Sequence, residues 1–162
     1  MDYDYKHISI YFDRNKNLIG VPTSMYKKWQ SPILSYPIIE LNCDYNDDVM
    51  EKFIKRVFNA CYSHEVTDKE AHSKQTSLSD FLKVKSYKAS VKNLGLISVD
   101  WVANRGYLIT PTWQNINMKC AFDFIQEKKI MVPTEYKPGE LAIAIRKAME
   151  LSPVGPQKCK PE

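Results

Sequence analysis

The sequence offers few side chains that could bind a metal ion or act as a nucleophile. It contains three histidines and four cysteines, and the one local cluster among them is Cys61, His64 and His72. Their spacing, C-x2-H-x7-H, does not match common zinc sites, whose ligands come as closely spaced pairs. Cys61 also falls on the apolar face of a predicted helix. We therefore interpret Cys61 as a buried structural residue and predict no metal site.

The sequence patterns of nucleophilic and phosphate-binding enzymes are missing. No G-x-S-x-G turn occurs, and the five glycines are too scattered to form a phosphate-binding loop. His7 and Tyr11 share one face of a predicted strand, where they could form an acid–base pair. A partly exposed strand position is the preferred interpretation of His7. We predict no catalytic residue and no cofactor, and we do not expect an enzyme.

Acidic side chains are concentrated in one short stretch of a basic chain. The sequence has 23 Lys and Arg against 19 Asp and Glu, for a net charge of +4. On a loop and a helix start, an acidic run would present a negative patch to a basic partner. The alternative is that these carboxylates complement the positive end of a helix dipole. The acidic run consists of Glu40, Asp44, Asp47, Asp48 and Glu51.

Several aromatic residues lie in loop-like segments bounded by proline. Tyr26, Trp29 and Trp113 could anchor a protein interface, and the alternative is that they cover the core. Tyr87 lies within the basic stretch Lys83–Lys92, where a nucleic-acid base could stack beside lysines. Only four of the 23 basic residues are arginine, the residue preferred for phosphate and base contacts. Direct nucleic-acid binding is therefore not expected.

Hydrophobic periodicity predicts the elements that position these residues. Alternation of apolar and polar residues indicates strands, and a 3.6-residue period indicates helices. The predicted strands are Lys6–Phe12, Leu18–Val21, Ile38–Leu41, Leu94–Ala103, Tyr107–Trp113, Cys120–Ile125 and Lys129–Val132, the last two forming a hairpin. The predicted long helices are Asp47–Cys61 and Pro138–Leu151. Pro22 is expected to end the second strand, and residues Thr23–Pro37 to be irregular or a short helical turn.

The order of these elements predicts an α+β fold. We expect a single domain over residues 1–151, with a mainly antiparallel sheet built from hairpins and two principal helices packed on it. Residues 152–162 are expected to form a flexible tail. No apolar run approaches the ~18–20 residues of a membrane-spanning helix, and the first residues lack the pattern of a secretory signal. We therefore expect a cytoplasmic protein with reduced cysteines and no membrane partner.

Segments spread over most of the chain carry a family resemblance, although none of them is a chemical motif. They are His7–Asp13, Trp29…Pro32…Tyr36-Pro37, Leu41-Asn42…Asp47-Asp48, Arg56-Val57-Phe58…Cys61, Leu94–Val99…Trp101, Gly106-Tyr107…Ile109–Thr112 and Leu141–Leu151. In this order they resemble the immunity proteins of bacterial contact-dependent growth inhibition. Residues Ser63–Ser79 and the segment after Ser152 do not contribute to the resemblance.

The resemblance implies a small cytoplasmic protein without catalytic activity. Such a protein binds the C-terminal toxin domain of a large exoprotein in a 1:1 complex and neutralises it by occluding its active or substrate-binding surface. The toxins are often nucleases, including tRNases. Because this chain is basic overall, its electrostatic match to a toxin must be local, which singles out the acidic run and Asp100. The alternative function is a small nucleic-acid-binding module that uses Lys83–Lys92 and nearby aromatic residues.

Overall fold

A computed structural model describes residues 3–118 and 122–162, which form nine strands and five α-helices. The strands are β1 (Tyr5–Phe12), β2 (Leu18–Tyr26), β3 (Ser31–Leu34), β4 (Ile39–Leu41), β5 (Gly95–Val102), β6 (Gly106–Asn115), β7 (Phe122–Phe124), β8 (Ile130–Val132) and β9 (Pro156–Gln157). The helices are α1 (Asp47–Ala60), α2 (Asp68–Ala71), α3 (Ser77–Phe81), α4 (Tyr87–Val91) and α5 (Glu140–Leu151).

The strands form one curled sheet in the order β3-β2-β1-β5-β6-β7. Strand β4 pairs with β2, while β8 and β9 pair with β6. Within the described ranges every pairing is antiparallel except that of β9 with β6. The predicted α+β class, with a mainly antiparallel sheet and two long helices, is confirmed. No helix in the described part of the chain is long and apolar enough to span a membrane.

Each face of the sheet has its own apolar core, because side chains alternate along every strand. Ile8 and Ile10 point from β1 into the larger core, which α1 and α5 cover. Tyr11 points to the opposite face and packs with Leu78 of α3 and Val91 of α4. The two long helices therefore lie on one face, and two short helices cover part of the other.

Helix α1 begins and packs as its sequence predicts. The side chain of Asn46 caps it by accepting a hydrogen bond from the Val49 N–H at 2.9 Å. The helix lies so close to β2 that a Cβ atom on Gly20 would come within 2.3 Å of a Val57 methyl carbon. Glycine at this position lets the helix and the sheet approach closely.

The prediction that Pro22 ends the second strand is wrong. Strand β2 continues to Tyr26 and turns into β3, so most of the segment expected to be irregular is a hairpin. The Pro22 carbonyl accepts the Ser35 N–H at 2.8 Å, which places the backbone groups of Pro22 on the side away from β1. The missing N–H of proline therefore interrupts no hydrogen bond to the central strand.

The predicted hairpin near residue 127 is also wrong. Strands β7 and β8 do not pair with each other; both pair with β6, at Thr112–Gln114 and Tyr107–Ile109 respectively. Together they form one interrupted edge strand, with the 3-10 turn Gln126–Lys128 between them. Cys120, where the first strand of that hairpin was expected to begin, lies outside the described residues.

The segment after α5 returns to the sheet. The Ser152 hydroxyl donates to the Ala148 carbonyl at 2.8 Å and accepts the Thr112 N–H at 3.1 Å. The Gly155 N–H then donates to the Leu94 carbonyl at 3.1 Å, just before β9 pairs with β6. The flexibility of residues 152–162 stays a prediction, as does the domain boundary at residue 151.

Two isoleucines on α5 provide a matched test of this packing. Ile145 is fully buried in the larger core, whereas Ile143 is 61% exposed. We expect Ile145→Ala to lower the free energy of unfolding by about 2–5 kcal/mol, because it removes buried methyl groups and leaves a cavity. Ile143→Ala should change it by less than about 0.5 kcal/mol. Urea denaturation of both variants measures the difference, and equal losses would contradict the placement of α5.

Candidate functional site

A cavity of about 310 Å³ opens on the sheet face opposite α1 and α5. We call it the sheet cavity; Tyr5, His7, Asp100, Leu108, Phe124 and Lys129 line it with four further residues. The pairing register builds its floor, because His7 of β1 lies opposite Asp100 of β5, which lies opposite Leu108 of β6. Paired residues on adjacent strands project to the same face, so these three side chains form a row.

Two hydrogen bonds converge on one oxygen of the Asp100 carboxylate. Its Oδ1 atom accepts from the Tyr5 hydroxyl at 2.6 Å and from His7 Nδ1 at 2.7 Å. Because a carboxylate can only accept, this contact places the imidazole proton on Nδ1. Among residues 3–118 and 122–162, no hydrogen-bond donor contacts Oδ2. The carboxylate is therefore fixed in orientation through one oxygen and keeps the other for a further donor.

The surroundings of Asp100 favour its ionised form. Burial alone would raise the pKa of the Asp100 carboxyl, but the hydrogen bonds from His7 and Tyr5 and the charges of His7 and Lys129 outweigh it. The pKa of Asp100 is therefore held below its usual value. Burial and the hydrogen bond to Asp100 raise the pKa of the Tyr5 hydroxyl, which keeps that donor protonated. The Asp100 carboxylate at the floor of the cavity is therefore ionised, and the Tyr5 hydroxyl that donates to it is protonated.

Ser9, His7 and Asp100 lie in the order of a hydrolytic triad. The Ser9 hydroxyl is 3.5 Å from His7 Nε2, at the outer limit of a hydrogen bond, and Ser9 is only 6% exposed. From Ile8 to Phe12, strand β1 pairs with both β2 and β5, so the N–H groups around Ser9 belong to the sheet ladder. An oxyanion site needs N–H groups that are free to bind substrate. We interpret the three residues as a structural hydrogen-bond network, and the absence of catalysis stays a prediction.

The alternative pair of His7 and Tyr11 is not formed. The two residues share a face of β1, but four residues of strand separate them by about 13 Å. The Tyr11 hydroxyl instead lies 2.9 Å from the hydroxyl of Tyr87 on α4. Burial and the neighbouring Tyr87 raise the pKa of Tyr11 well above its usual value. Tyr11 is thus a core residue that ties α4 to the sheet.

Two members of the acidic run are engaged within the protein. Glu51 is 8% exposed, and its Oε1 atom accepts the N–H groups of Gly139 at 2.9 Å and Ala142 at 3.2 Å. It therefore caps the N-terminus of α5, a helix that begins almost ninety residues later in the sequence. Asp47 accepts from the Arg146 Nε–H of the same helix at 3.1 Å. Both carboxylates hold α1 against α5.

The other three acidic residues lie on the surface. Asp48 pairs with Lys52 at 2.7 Å on the exposed side of α1, and Asp44 is exposed in the preceding turn. Glu40 of β4 pairs with Ile19, which places it on the sheet face that carries Tyr11. The run is therefore split between two faces of the sheet, and Asp100 does not belong to the same patch as Asp47 and Asp48.

The predicted aromatic anchors also separate. Trp29 is 53% exposed and packs edge-on against Tyr26 and His72, each at a ring distance of 4.8 Å. Tyr26 and Trp113 are buried in the chain itself, and the Tyr26 hydroxyl donates to Asp68 at 2.8 Å. Their contacts to a partner stay predictions, and Trp29 is the member of the group that the surface presents.

The cysteine and histidine cluster is spread over separate contacts. Cys61 is buried, and its thiol lies 3.4 Å from the His7 carbonyl oxygen. His64 Nε2 contacts Glu70 at 2.9 Å, and His72 Nδ1 contacts the Asp68 carbonyl at 2.7 Å. The described residues contain no group of three or more His, Cys, Asp or Glu that could hold a metal ion.

The basic stretch Lys83–Lys92 presents charge without an available aromatic face. Its four lysines are exposed, but Tyr87 is half-buried and packs edge-on against Tyr11. Base stacking on Tyr87 would require this contact to open. The alternative of a nucleic-acid-binding module thus depends on the lysines alone and stays a prediction.

A larger cavity, of about 700 Å³, lies between β3 and residues 64–80. Ser35 and Ser77 line it, and their hydroxyls are buried without a hydrogen-bond partner among the described residues. Its charged rim is mixed, with the His64–Glu70 pair next to Lys69. The sheet cavity is the better candidate site, because its charged group is held on rigid central strands.

Sequence reasoning found part of the sheet cavity. Alternation along β5 places Asp100 on the face opposite Val99, and Asp100 was a predicted partner-binding residue. Tyr5, Phe124 and Lys129 were missed because they come from two separate strands, β1 and β7, and from the turn before β8. The signal available in the sequence was that Tyr5, His7 and Tyr11 are separated by even numbers of positions along β1, which puts all three on the same face.

Comparison with known proteins supports the fold and gives no close relative. No protein-family model and no curated protein matches this sequence. A solved protein of unknown function from Neisseria meningitidis matches with a TM-score of 0.66 and 14% identity, over 93% of this chain and 97% of that one. A chain of a CdiA-CT/CdiI toxin and immunity complex from Yersinia pseudotuberculosis matches with a TM-score of 0.64 and 12% identity, over 91% and 97%. The chain therefore has the fold of a protein found in a toxin–immunity complex.

Removal of the Glu51 carboxylate tests its structural role. We expect Glu51→Ala to lower the free energy of unfolding by about 1–3 kcal/mol, because two N–H groups of α5 lose their acceptor. Asp48→Ala on the exposed side of α1 should cost no more than about 0.5 kcal/mol. Thermal or urea denaturation measures both variants. A small loss for Glu51→Ala would contradict this structural role, and partner binding by Glu51 stays a prediction.

The lowered pKa of Asp100 makes its stabilising effect depend on pH. Its folded-state pKa lies below the unfolded value, so its contribution is present above the unfolded pKa and is lost as pH falls through the folded pKa. The stability difference between the wild type and Asp100→Asn should therefore shrink between about pH 5 and pH 2. Urea titrations measure it, with exposed Asp44→Asn as the control. A difference that widens with acidification would contradict the described hydrogen bonds.

Proposed function

We propose that this chain is an immunity protein, which binds and neutralises the toxin domain of a contact-dependent growth inhibition exoprotein. The observation that carries the proposal is the fold similarity to a chain of a toxin and immunity complex, which covers nearly the full length of both chains. The sequence resemblance to the immunity family points independently in the same direction. The proposed protein acts by binding and has no catalytic activity of its own.

The surface offers two regions that suit a basic partner. One is the exposed part of the acidic run, where Asp44 and Asp48 lie beside the start of α1. The other is the sheet cavity with the ionised Asp100 at its floor. Nuclease toxins bind a polyanionic substrate and therefore carry basic surfaces. We propose that acidic groups here occupy part of such a surface and exclude the substrate.

Genetic neighbourhood and rescue of growth test the proposal directly. The gene upstream is expected to encode a large exoprotein, and its C-terminal domain should co-purify with this chain as a 1:1 complex. Cells that express that domain alone should stop growing, and co-expression of this chain should restore growth. A toxin domain from an unrelated system serves as the control. Failure to bind or to rescue against the neighbouring toxin would overturn the proposed function.

Charge reversal separates the acidic run from the rest of the surface. We expect Asp44→Lys combined with Asp48→Lys to slow association with the toxin domain and weaken protection, because the reversed charges repel a basic partner. The pair leaves the engaged Asp47 and Glu51 intact, so the fold should be retained. Reversal of Glu135 and Glu150 makes the same change in net charge elsewhere on the exposed surface. Stopped-flow association rates at low and high salt give the measurement.

Two results would count against the acidic run. If both double variants slow association equally, the effect comes from net charge alone. If neither changes the rate or the rescue, the acidic run is not part of the interface. In both cases co-purification of the wild type would still support the immunity role.

A further inference from the structure

We infer that the sheet cavity receives one arginine side chain of the toxin domain, with Asp100 as its acceptor. This inference rests on the proposed function and specifies the chemistry of one contact within it. It is drawn from the open part of the sheet, the free oxygen of Asp100 and the position of Lys129.

The opening of the cavity follows from how the sheet is covered. On the face opposite α1, helices α3 and α4 cover the end of β1 that carries Tyr11. The end that carries Tyr5 and His7 faces the cavity, which the 3-10 turn Gln126–Lys128 borders through Gln126. Tyr5 is 47% exposed and Phe124 49% exposed at its rim. Exposed aromatic side chains beside a concave, partly apolar cavity are typical of a binding site.

The floor of the cavity is built to accept hydrogen bonds from a cation. Both internal donors contact Oδ1 of Asp100, which leaves Oδ2 with acceptor capacity. The Asp100 side chain is 19% exposed, so a group that enters the cavity can contact it. A negative charge with apolar surroundings interacts more strongly with a bound cation than an exposed carboxylate does. Asp100 is thus the strongest recognition group of the cavity.

Arginine fits this arrangement better than the other cationic side chains. The cavity volume of about 310 Å³ is at the small end of ligand sites, which suits one side chain. A guanidinium group is planar, stacks on aromatic rings and remains charged at all relevant pH values. It can stack against Phe124 or Tyr5 while it donates to Asp100. A lysine ammonium would contact the carboxylate without using the aromatic rim.

Lys129 carries a positive charge at the wall of the cavity. It is exposed, lines the cavity, and its charge contributes to the lowered pKa of Asp100. Lys129 would repel an incoming arginine, since two cations near one carboxylate repel each other. Removal of Lys129 should therefore strengthen binding, which is the opposite of the effect expected for a residue that contacts an acidic partner.

Four variants of the full chain, measured against the neighbouring toxin domain, test this inference. Asp100→Asn should weaken binding about 30-fold or more, as loss of one partner of a buried charge pair does. Phe124→Ala should weaken it about 5-fold through loss of the stacking surface. Lys129→Ala should strengthen it about 2- to 5-fold. Glu150→Gln, a carboxyl-to-amide change on exposed α5, should leave affinity within 2-fold.

The outcomes distinguish this inference from the function on which it rests. If the wild type binds the toxin domain and Asp100→Asn binds it with the same affinity, the arginine site is overturned and the immunity role still stands. Weaker binding in Lys129→Ala would overturn it as well, because it would indicate an acidic occupant. Absence of wild-type binding would overturn both. Thermal unfolding of each variant shows whether the fold is kept. If Asp100→Asn unfolds, the affinity of Phe124→Ala decides the case, because this variant leaves the floor of the cavity unchanged.

Discussion

Burial of the central strand β1 on both faces is the constraint on which the rest of the structure depends. Ile8 and Ile10 are fully buried on one face and Tyr11 is 1% exposed on the other. Burying side chains of this size stabilises a fold by about 1.5–3 kcal/mol each, and a flat sheet alone cannot provide that cover. The chain therefore needs a layer on each side. Helices α1 and α5 form the complete layer, and α3 and α4 form the partial one.

The partial layer explains why the candidate site lies where it does. Side chains alternate along β1, so the face that buries Tyr11 also carries His7 and Tyr5 further along the strand. Helices α3 and α4 pack on Tyr11, whereas His7 and Tyr5 line the open cavity. At the uncovered positions the strand carries polar and aromatic side chains, which tolerate water. The same alternation that builds the second core thus ends in a partly apolar cavity with a charged carboxylate at its floor.

Local sequence patterns were sufficient for α1 and β1 but not for the long-range contacts that these elements make. The amphipathic period of α1 and the alternation of β1 are visible within a window of fifteen residues, and both elements form as predicted. The contact of His7 with Asp100 spans 93 positions, and that of Glu51 with Gly139 spans 88. Both depend on strand register or helix packing, which one sequence does not specify. Glu51 was therefore predicted to bind a partner, while the fold uses it as a helix cap.

In the proposed complex, the two kinds of acidic residue affect binding in different ways. Exposed carboxylates such as Asp44 and Asp48 act through water, where salt screens them beyond about 8–10 Å. They attract a basic toxin during approach and mainly change the association rate. Asp100 is screened less because the cavity limits its contact with water, and its hydrogen bonds fix its direction before a partner arrives. Such a group mainly changes the dissociation rate. The proposed contact at Asp100 would thus explain how a chain of net charge +4 binds a basic partner, because one oriented charge and not the total would set the lifetime of the complex.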